Sequence, residues 1–266
     1  MITHKSIGYS GRLGNQMFQY AALKALSLET GFECLLPNHL TVKPDGAFDY
    51  TNSKWLEYKL DLLECFDITT PIGENKTTNL FQEREFTFDP TISLISDDTA
   101  LEGYFQSYKY FQTFEKEIRK EFTFKSDILQ KCQEAISQYS NPVSIHIRRG
   151  DYVKHPGFWT VTPEYLVNAL DSLDPGPDAT YLIFSDDMEW CKEVFHDEFV
   201  FVEGNNQYED LCLMSLCNHN IISNSSYSWW AAWLNSNLNK RVVAPLQWFA
   251  EPKPLHDLYP TNWILI

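Results

Sequence analysis

Residues 144–153 read SIHIRRGDYV, with Arg148, Arg149 and Asp151 closing a run in which Val143, Ile145 and Ile147 alternate with Ser144, His146 and Arg148. Arginine's planar fork matches a phosphate bidentately, which lysine cannot do. Polar groups on one face of a central strand are costly to bury unless they reach a solvated cleft at its carboxyl end. The density of His146, Arg148, Arg149, Asp151 and Tyr152 therefore reads as an anion site. A structural Arg–Asp ion pair is the plainer alternative.

Three other stretches have chemistry-bearing spacing. In GYSGRLGNQ, Gly8, Gly11 and Gly14 fall three apart between a strand and a helix. Glycine lets backbone N–H groups approach a ligand, and a helix start adds partial positive charge, which suits a pyrophosphate or a sugar. The spacing is neither GxGxxG nor a Walker A loop. An ordinary tight βα turn would account for the glycines, but not for Arg12, Asn15 and Gln16 together at its tip. In LIFSDDMEW, Asp186 and Asp187 end a strand; they either receive ribose hydroxyls or a base edge, or cap the next helix. In IISNSSYSWWAAWL, Ser225, Ser226 and a helix start form a second anion cradle, with a serine cap as the alternative. Trp229, Trp230 and Trp233 recur at helical spacing and read as core.

These groups need a parallel sheet to bring them to one edge. Short apolar runs at 142–148, 180–184, 199–202, 220–223 and 241–244 alternate with amphipathic stretches at 163–173, 187–195, 206–217 and 225–235, a doubly wound βαβ series. The first half opens with a strand at 5–9, a helix at 14–30 ended by Gly31, and a strand at 32–36. Residues 41–100 read as insertions and short helices, and helices at 111–121 and 126–139 precede the boundary at SNP, 140–142.

Composition narrows the function classes. The formal charge of −15 over 266 residues opposes nucleic acid and anionic lipid at long range, so a bound phosphate needs a local cationic site. Cys34, Cys65, Cys132, Cys191, Cys212 and Cys217 contain no CxxC and no zinc spacing with histidine, so they read as buried thiols of a reducing, cytoplasmic compartment. The chain shows no signal-peptide pattern and no run near the ~18 apolar residues of a transmembrane helix, which leaves room for peripheral membrane contact alone. The sequons at Asn75 and Asn224 then carry no glycan. With no Asp-x-Asp triplet and no histidine pair at ligand spacing, no metal is expected.

GRLGNQMFQYAA, HIRRGDYV, FSDDMEWCK and NIISNSSYSWWAAWLN, with GYFQSYKYF at 103–111 and APLQWF at 244–249, resemble the motif set of the α-1,2-fucosyltransferases, which move L-fucose from GDP-fucose onto galactose. The resemblance implies an α/β, GT-B-like architecture: two Rossmann-type lobes with parallel sheets flanked by helices. The N-terminal lobe, 1–140, would be small and acceptor-facing, and 141–266 would bind GDP-fucose. GDP-fucose is then a co-substrate, no cofactor is needed, and the partner is a galactose-containing oligosaccharide or polysaccharide.

Carried over by resemblance, Arg148 and Arg149 meet the GDP phosphates, one on the β-phosphate and the other tied to structure. Asp186 contacts the nucleoside, while Ser225, Ser226 and Tyr227 form a phosphate-binding turn. Asn15 faces the transferred sugar, Gly11, Arg12 and Gly14 belong to the donor loop, and His146 positions. GDP-fucose is β-linked and the family product α-linked, which implies a single inverting displacement. Asp151 is the candidate general base, or else orients an arginine; Glu164 or an acid within 41–100 could serve instead. On the acceptor side stand Gln16 and the rings of Tyr152, Phe158 and Trp159, which either stack on a sugar face or pack at the surface. Two rival readings remain: a transferase of the same fold with another nucleotide sugar or acceptor, and a non-catalytic nucleotide-sugar or glycan-binding module.

Overall fold

The computed structural model describes residues 1–38, 48–49, 54–55, 59–74, 76–195 and 198–266. The sequon at Asn75 and much of the 41–100 reading lie outside the described residues. The chain packs as two units, 1–123 with 254–260, and 124–253 with 261–266.

In the first unit, β1 (Ile2–His4), α1 (Leu13–Thr30), β2 (Cys34–Pro37), a hairpin of β3 (Phe48–Asp49) and β4 (Lys54–Trp55), α2 (Asp61–Cys65), β5 (Ile72–Gly73), β6 (Asn79–Gln82), β7 (Thr99–Glu102) and α3 (Glu115–Glu121) follow in order. The sheet runs β5-β2-β1-β7-β6, all parallel. The strand expected at 5–9 lies at 2–4 instead. His4 ends it by accepting the amides of Ser6 (3.3 Å) and Ile7 (3.1 Å) on Nδ1, which turns the chain. Helix α1 begins one residue before its expected start and ends at Gly31, whose φ of 76° is the left-handed cap that favours glycine. Strands β6 and β7 were not foreseen.

The second unit holds α4 (Ser126–Ile136), β8 (Pro142–Ile147), α5 (Pro163–Leu173), β9 (Thr180–Ser185), α6 (Met188–Val194), β10 (Val200–Phe201), α7 (Gln207–Leu216), β11 (His219–Ile221), α8 (Ser226–Leu234), β12 (Val242–Ala244) and β13 (Ile264–Leu265). Its sheet runs β10-β9-β8-β11-β12-β13, again all parallel. Every strand and helix expected after residue 141 is present within two residues of its bounds; β13 was missed. The expected lobe boundary at 140/141 shifts to 123/124. Helix α4 belongs with the second unit because Ile128 and Cys132 are buried, Cys132 Sγ donates to Glu209 O (3.4 Å), and Lys131 pairs with Glu209 (2.7 Å). Residues 254–260 return to the first unit, where buried Asp257 accepts the Phe88 amide (2.9 Å).

All six residues of β8 are buried, as a central parallel strand requires. Val143, Ile145 and Ile147 are fully buried in the core, each worth roughly 1.5–3 kcal/mol. The polar face of β8 is not solvated, contrary to expectation. Asn220 Nδ2 donates to Ser144 Oγ (2.7 Å) and Met214 O (2.8 Å), while its Oδ1 accepts from Asn235 Nδ2 (2.8 Å). Neighbouring strands and helices thus supply the partners that water would have supplied. Trp229 and Trp230 are fully buried, in accord with the core reading. Among the described residues, no helix is long and apolar enough to cross a membrane.

Removing one member of this network leaves buried polar groups unpaired. Asn220→Ala is expected to cost about 2–3 kcal/mol and to lower the unfolding midpoint by roughly 5–10 °C in calorimetry. An unchanged midpoint would show that the network carries no stability.

Candidate functional site

In each sheet the first strand has later strands on both sides. Chain order reverses there, between β1 and β7 in one unit and between β8 and β11 in the other. Loops that leave the carboxyl ends of strands at such a reversal frame a crevice, where α/β sheets bind ligands.

At the β8 exit, the register pairs Ile147 with Ser185, which brings Arg148 opposite Asp186. Arg148 contacts both Asp151 and Asp186. The Arg149 amide donates to Asp186 Oδ1 (2.9 Å), its Nε donates to Asp187 Oδ2 (3.1 Å), and its guanidinium lies 4.0 Å from the Trp190 ring centroid. The ion-pair alternative is therefore real, and two guanidinium groups face three carboxylates. Capping falls to Asp187, which accepts the Trp190 amide (3.3 Å), while Asp186 serves the arginines. Sequence reasoning missed Gly150. A Cβ there would sit 2.4 Å from Asp186 Oδ2, so a side chain at 150 would push that carboxylate off the arginines. The glycine following RR was the available signal.

Across the reversal, His146 Nδ1 lies 2.8 Å from Ser223 Oγ, which ties the β8 exit to the β11 exit. Burial, with Arg148's charge added, pushes the His146 pKa down to about 3, so the ring is neutral near pH 7. The serine-cap alternative is not observed: Ser225 stands at the cap of α8 and makes no side-chain capping bond. Tyr227 turns its ring toward His146 (5.6 Å between centroids) and donates its hydroxyl to Gln207 O. Asn224 was noted only as a sequon. It is buried, and its Nδ2 donates to Trp159 O and Trp248 O (2.7 Å each), so it fixes two loops beside Ser225. Asp210 lies half-buried in the first turn of α7. Burial raises its pKa to about 6 against a bond from Asn205 Nδ2 (3.1 Å).

The rings expected on the acceptor mostly pack on each other. Tyr152 and Phe158 stack at 4.1 Å and 6°, Arg148's guanidinium lies 5.1 Å from the Tyr152 centroid, and Phe249 continues the pile at 6.1 Å from Phe158. As placed, Tyr152 and Phe158 hold Arg148 and the loop. Trp159 meets Tyr165 edge-on.

In the first unit, Gly11 has φ 90° and a Cβ there would lie 2.4 Å from Asn15 Nδ2, so glycine is required by conformation and by space. Asn15 Oδ1 accepts from Gln106 Nε2 (2.7 Å), which joins the first turn of α1 to the loop after β7. Arg12 is exposed at the cap of α1, whereas Gly14 is a helical residue inside its first turn. Gln16, expected on the acceptor, is buried, and its Nε2 donates to Lys59 O (2.9 Å) and Gly11 O (3.5 Å). It builds the loop from beneath. His4 does the same: with Nδ1 accepting two amides, Nε2 carries the proton and donates to Gly103 O (3.1 Å).

The chain is similar to known glycosyltransferases in sequence and in fold. An Escherichia coli α-1,2-colitosyltransferase is 31% identical, with 97% of each chain covered. The Escherichia coli O-antigen biosynthesis glycosyltransferase WbnK is 30% identical over 91% of this chain and 93% of that one. A Bos taurus galactoside 2-α-L-fucosyltransferase, SEC1, is 30% identical over 86% of this chain and 64% of its own. Among solved structures, POFUT1 in complex with GDP-fucose aligns with TM-score 0.51 at 14% identity (91% and 97% covered). NodZ α-1,6-fucosyltransferase soaked with GDP-fucose aligns at 0.50 and 13% identity (88% and 92% covered). These likenesses show a GT-B-like α/β fold. The profile of glycosyl transferase family 11 matches residues 83–266, and this chain belongs to that family.

Proposed function

We propose that this protein is an inverting α-1,2-fucosyltransferase that moves L-fucose from GDP-β-L-fucose to the 2-hydroxyl of a terminal galactose. The observation that supports it most is that β8, which ends in two arginines, lies beside β11, whose exit leads to the α8 start where Ser225 makes no capping bond. A diphosphate would occupy that crevice, accepting from guanidinium N–H groups on one side and from Ser225, Ser226 and helix-start amides on the other. As the sugar–phosphate bond breaks, negative charge grows on the departing GDP; preorganised donors of this kind are worth about 3–4 kcal/mol each. The half-buried carboxyl of Asp210 would suit a guanine edge, whose N1–H and N2–H₂ are donors. No metal or cofactor is invoked, since the guanidinium groups supply the positive charge.

Asp151 has two readings. Its contact with Arg148 favours orienting that arginine, because a general base needs its lone pairs toward the acceptor hydroxyl. A second donor reading has its own support: the 31% identical relative is named a colitosyltransferase, so the transferred sugar could be colitose. A panel of GDP-linked sugars with β-galactosides, followed by linkage analysis, separates these readings. GDP binding without GDP release on any acceptor would leave only the binding-module reading.

Arg149→Ala is expected to weaken GDP binding about 10–100-fold in calorimetry with a native melting profile. Asp151→Asn should alter GDP affinity several-fold while the acid limb of the pH–rate profile stays in place. Loss of that limb with unchanged affinity would make Asp151 the base instead. Asp210 holds a proton more tightly in the fold than its ordinary value of 3.8 allows, so its contribution is present at low pH and lost as pH rises through about 6. Asp210→Asn should therefore raise the melting temperature more at pH 8 than at pH 5, while weakening GDP binding. An equal effect at both pH values would refute the burial argument.

A further inference from the structure

The carboxyl edge of the second sheet carries another concavity, toward β12 and β13. A cleft of about 380 Å³ lies between the first turns of α5 and the residues following those strands, lined in part by Trp159, Thr162, Glu164, Asn168, Leu246 and Gln247. Its size falls within the range of small-molecule sites, roughly 300–1,000 Å³. The residues assigned above to the donor, Arg148, Arg149, Asp210 and Ser225, do not line it.

The lining defines the ligand class. Among the described residues, no lysine or arginine borders the cleft, and Glu164 adds negative charge, so a phosphate or nucleotide is disfavoured. The apolar lining comes from Trp159, Pro245, Leu246 and Ile266. The polar lining is the Asn168 amide, which donates and accepts, the Gln247 Oε1, which accepts while its Nε2 donates to Phe249 O and Ala250 O (3.3 Å each), and the Glu164 carboxylate, which accepts. A lining that combines apolar side chains with groups of both hydrogen-bonding senses suits an uncharged pyranose, whose ring C–H face is apolar and whose rim is hydroxyl.

The position adds a second argument. Asn224 Nδ2 holds the Trp159 carbonyl and the Trp248 carbonyl at 2.7 Å each, and Asn224 directly precedes Ser225. One wall of the cleft is thus tethered to the loop that starts α8, within the same unit. We infer that this cleft is a carbohydrate subsite for an uncharged sugar of the acceptor other than the one that receives the transferred residue. This rests on the glycosyltransferase reading above and deepens it: acceptor length is read here, apart from the donor site.

Asn168→Ala and Gln247→Ala, singly and together, test the assignment. Both side chains are exposed, alanine at 168 favours the helix, and Gln247→Ala gives up bonds only to Phe249 O and Ala250 O in its own loop; a thermal melt checks that the fold is retained. Transfer would be measured with a simple β-galactoside and with a tri- or tetrasaccharide ending in the same galactose. The double variant should raise KM for the longer acceptor about tenfold, as expected for two lost hydrogen bonds, with KM for the short acceptor and for GDP-fucose unchanged. An unchanged ratio of long to short KM would overturn the proposal. Saturation-transfer NMR with the uncharged oligosaccharide gives a readout free of turnover: signal in the wild type that is lost in the double variant supports the subsite, and no wild-type signal, or signal kept in the variant, overturns it. GDP calorimetry run alongside reports on the donor reading alone, so the two failures are distinguishable.

Discussion

A strand buried along its whole length that ends in opposed charges is the constraint around which the second unit is arranged. Strand β8 has no solvent on either face, so its polar side chains need protein partners until the chain leaves the sheet. There, Arg148 and Arg149 meet Asp151, Asp186 and Asp187, two positive groups against three negative ones. The carboxylates fix both guanidinium planes before any ligand arrives, and Trp190 and Tyr152 support those planes. They also compete with an incoming diphosphate for the same N–H groups. Donor binding in the proposed reaction is thus an exchange of partners, which ties affinity to how firmly each acid holds its arginine.

The first unit meets a similar demand with neutral groups. Its glycine loop is shaped from below by His4, Gln16 and Gln19, which direct hydrogen bonds at the carbonyls of Gly103, Gly11 and Ser10. A polar residue within a ligand-binding motif is therefore not always a ligand contact. Gln16 looks from sequence like part of a binding tip, yet the loop's curvature at Gly11 depends on polar support from inside the fold.

Much of the fold was legible because parallel βα units write their period strongly. From residue 141 onward, apolar runs bounded by breakers located five strands and four helices, and the GxxGxxG turn with Gly31 located α1. Strands β6 and β7 were hidden because polar four-residue strands such as Asn79–Gln82 lack a run long enough to carry a period. The boundary was misplaced for a related reason: α4 is amphipathic in any context, and only its packing against α7 assigns it to the second unit.

The sequence by itself determined the chemistry available: scarce arginines gathered beside an acid, hydroxyls and glycines at helix starts, and a motif set specific enough to name a family. Residue type and local spacing are enough for that, since they set charge, hydrogen-bonding capacity and the preferred backbone. Tertiary structure alone decided which acid holds which arginine, that a side chain at 150 would press on the Asp186 carboxylate, and that Ser225 leaves its cap bond unmade. It also turned Gln16 inward and stacked Tyr152 on Phe158. Those outcomes depend on strand register and helix packing across dozens of residues, and a residue's partner at such separation is fixed only when the sheet closes.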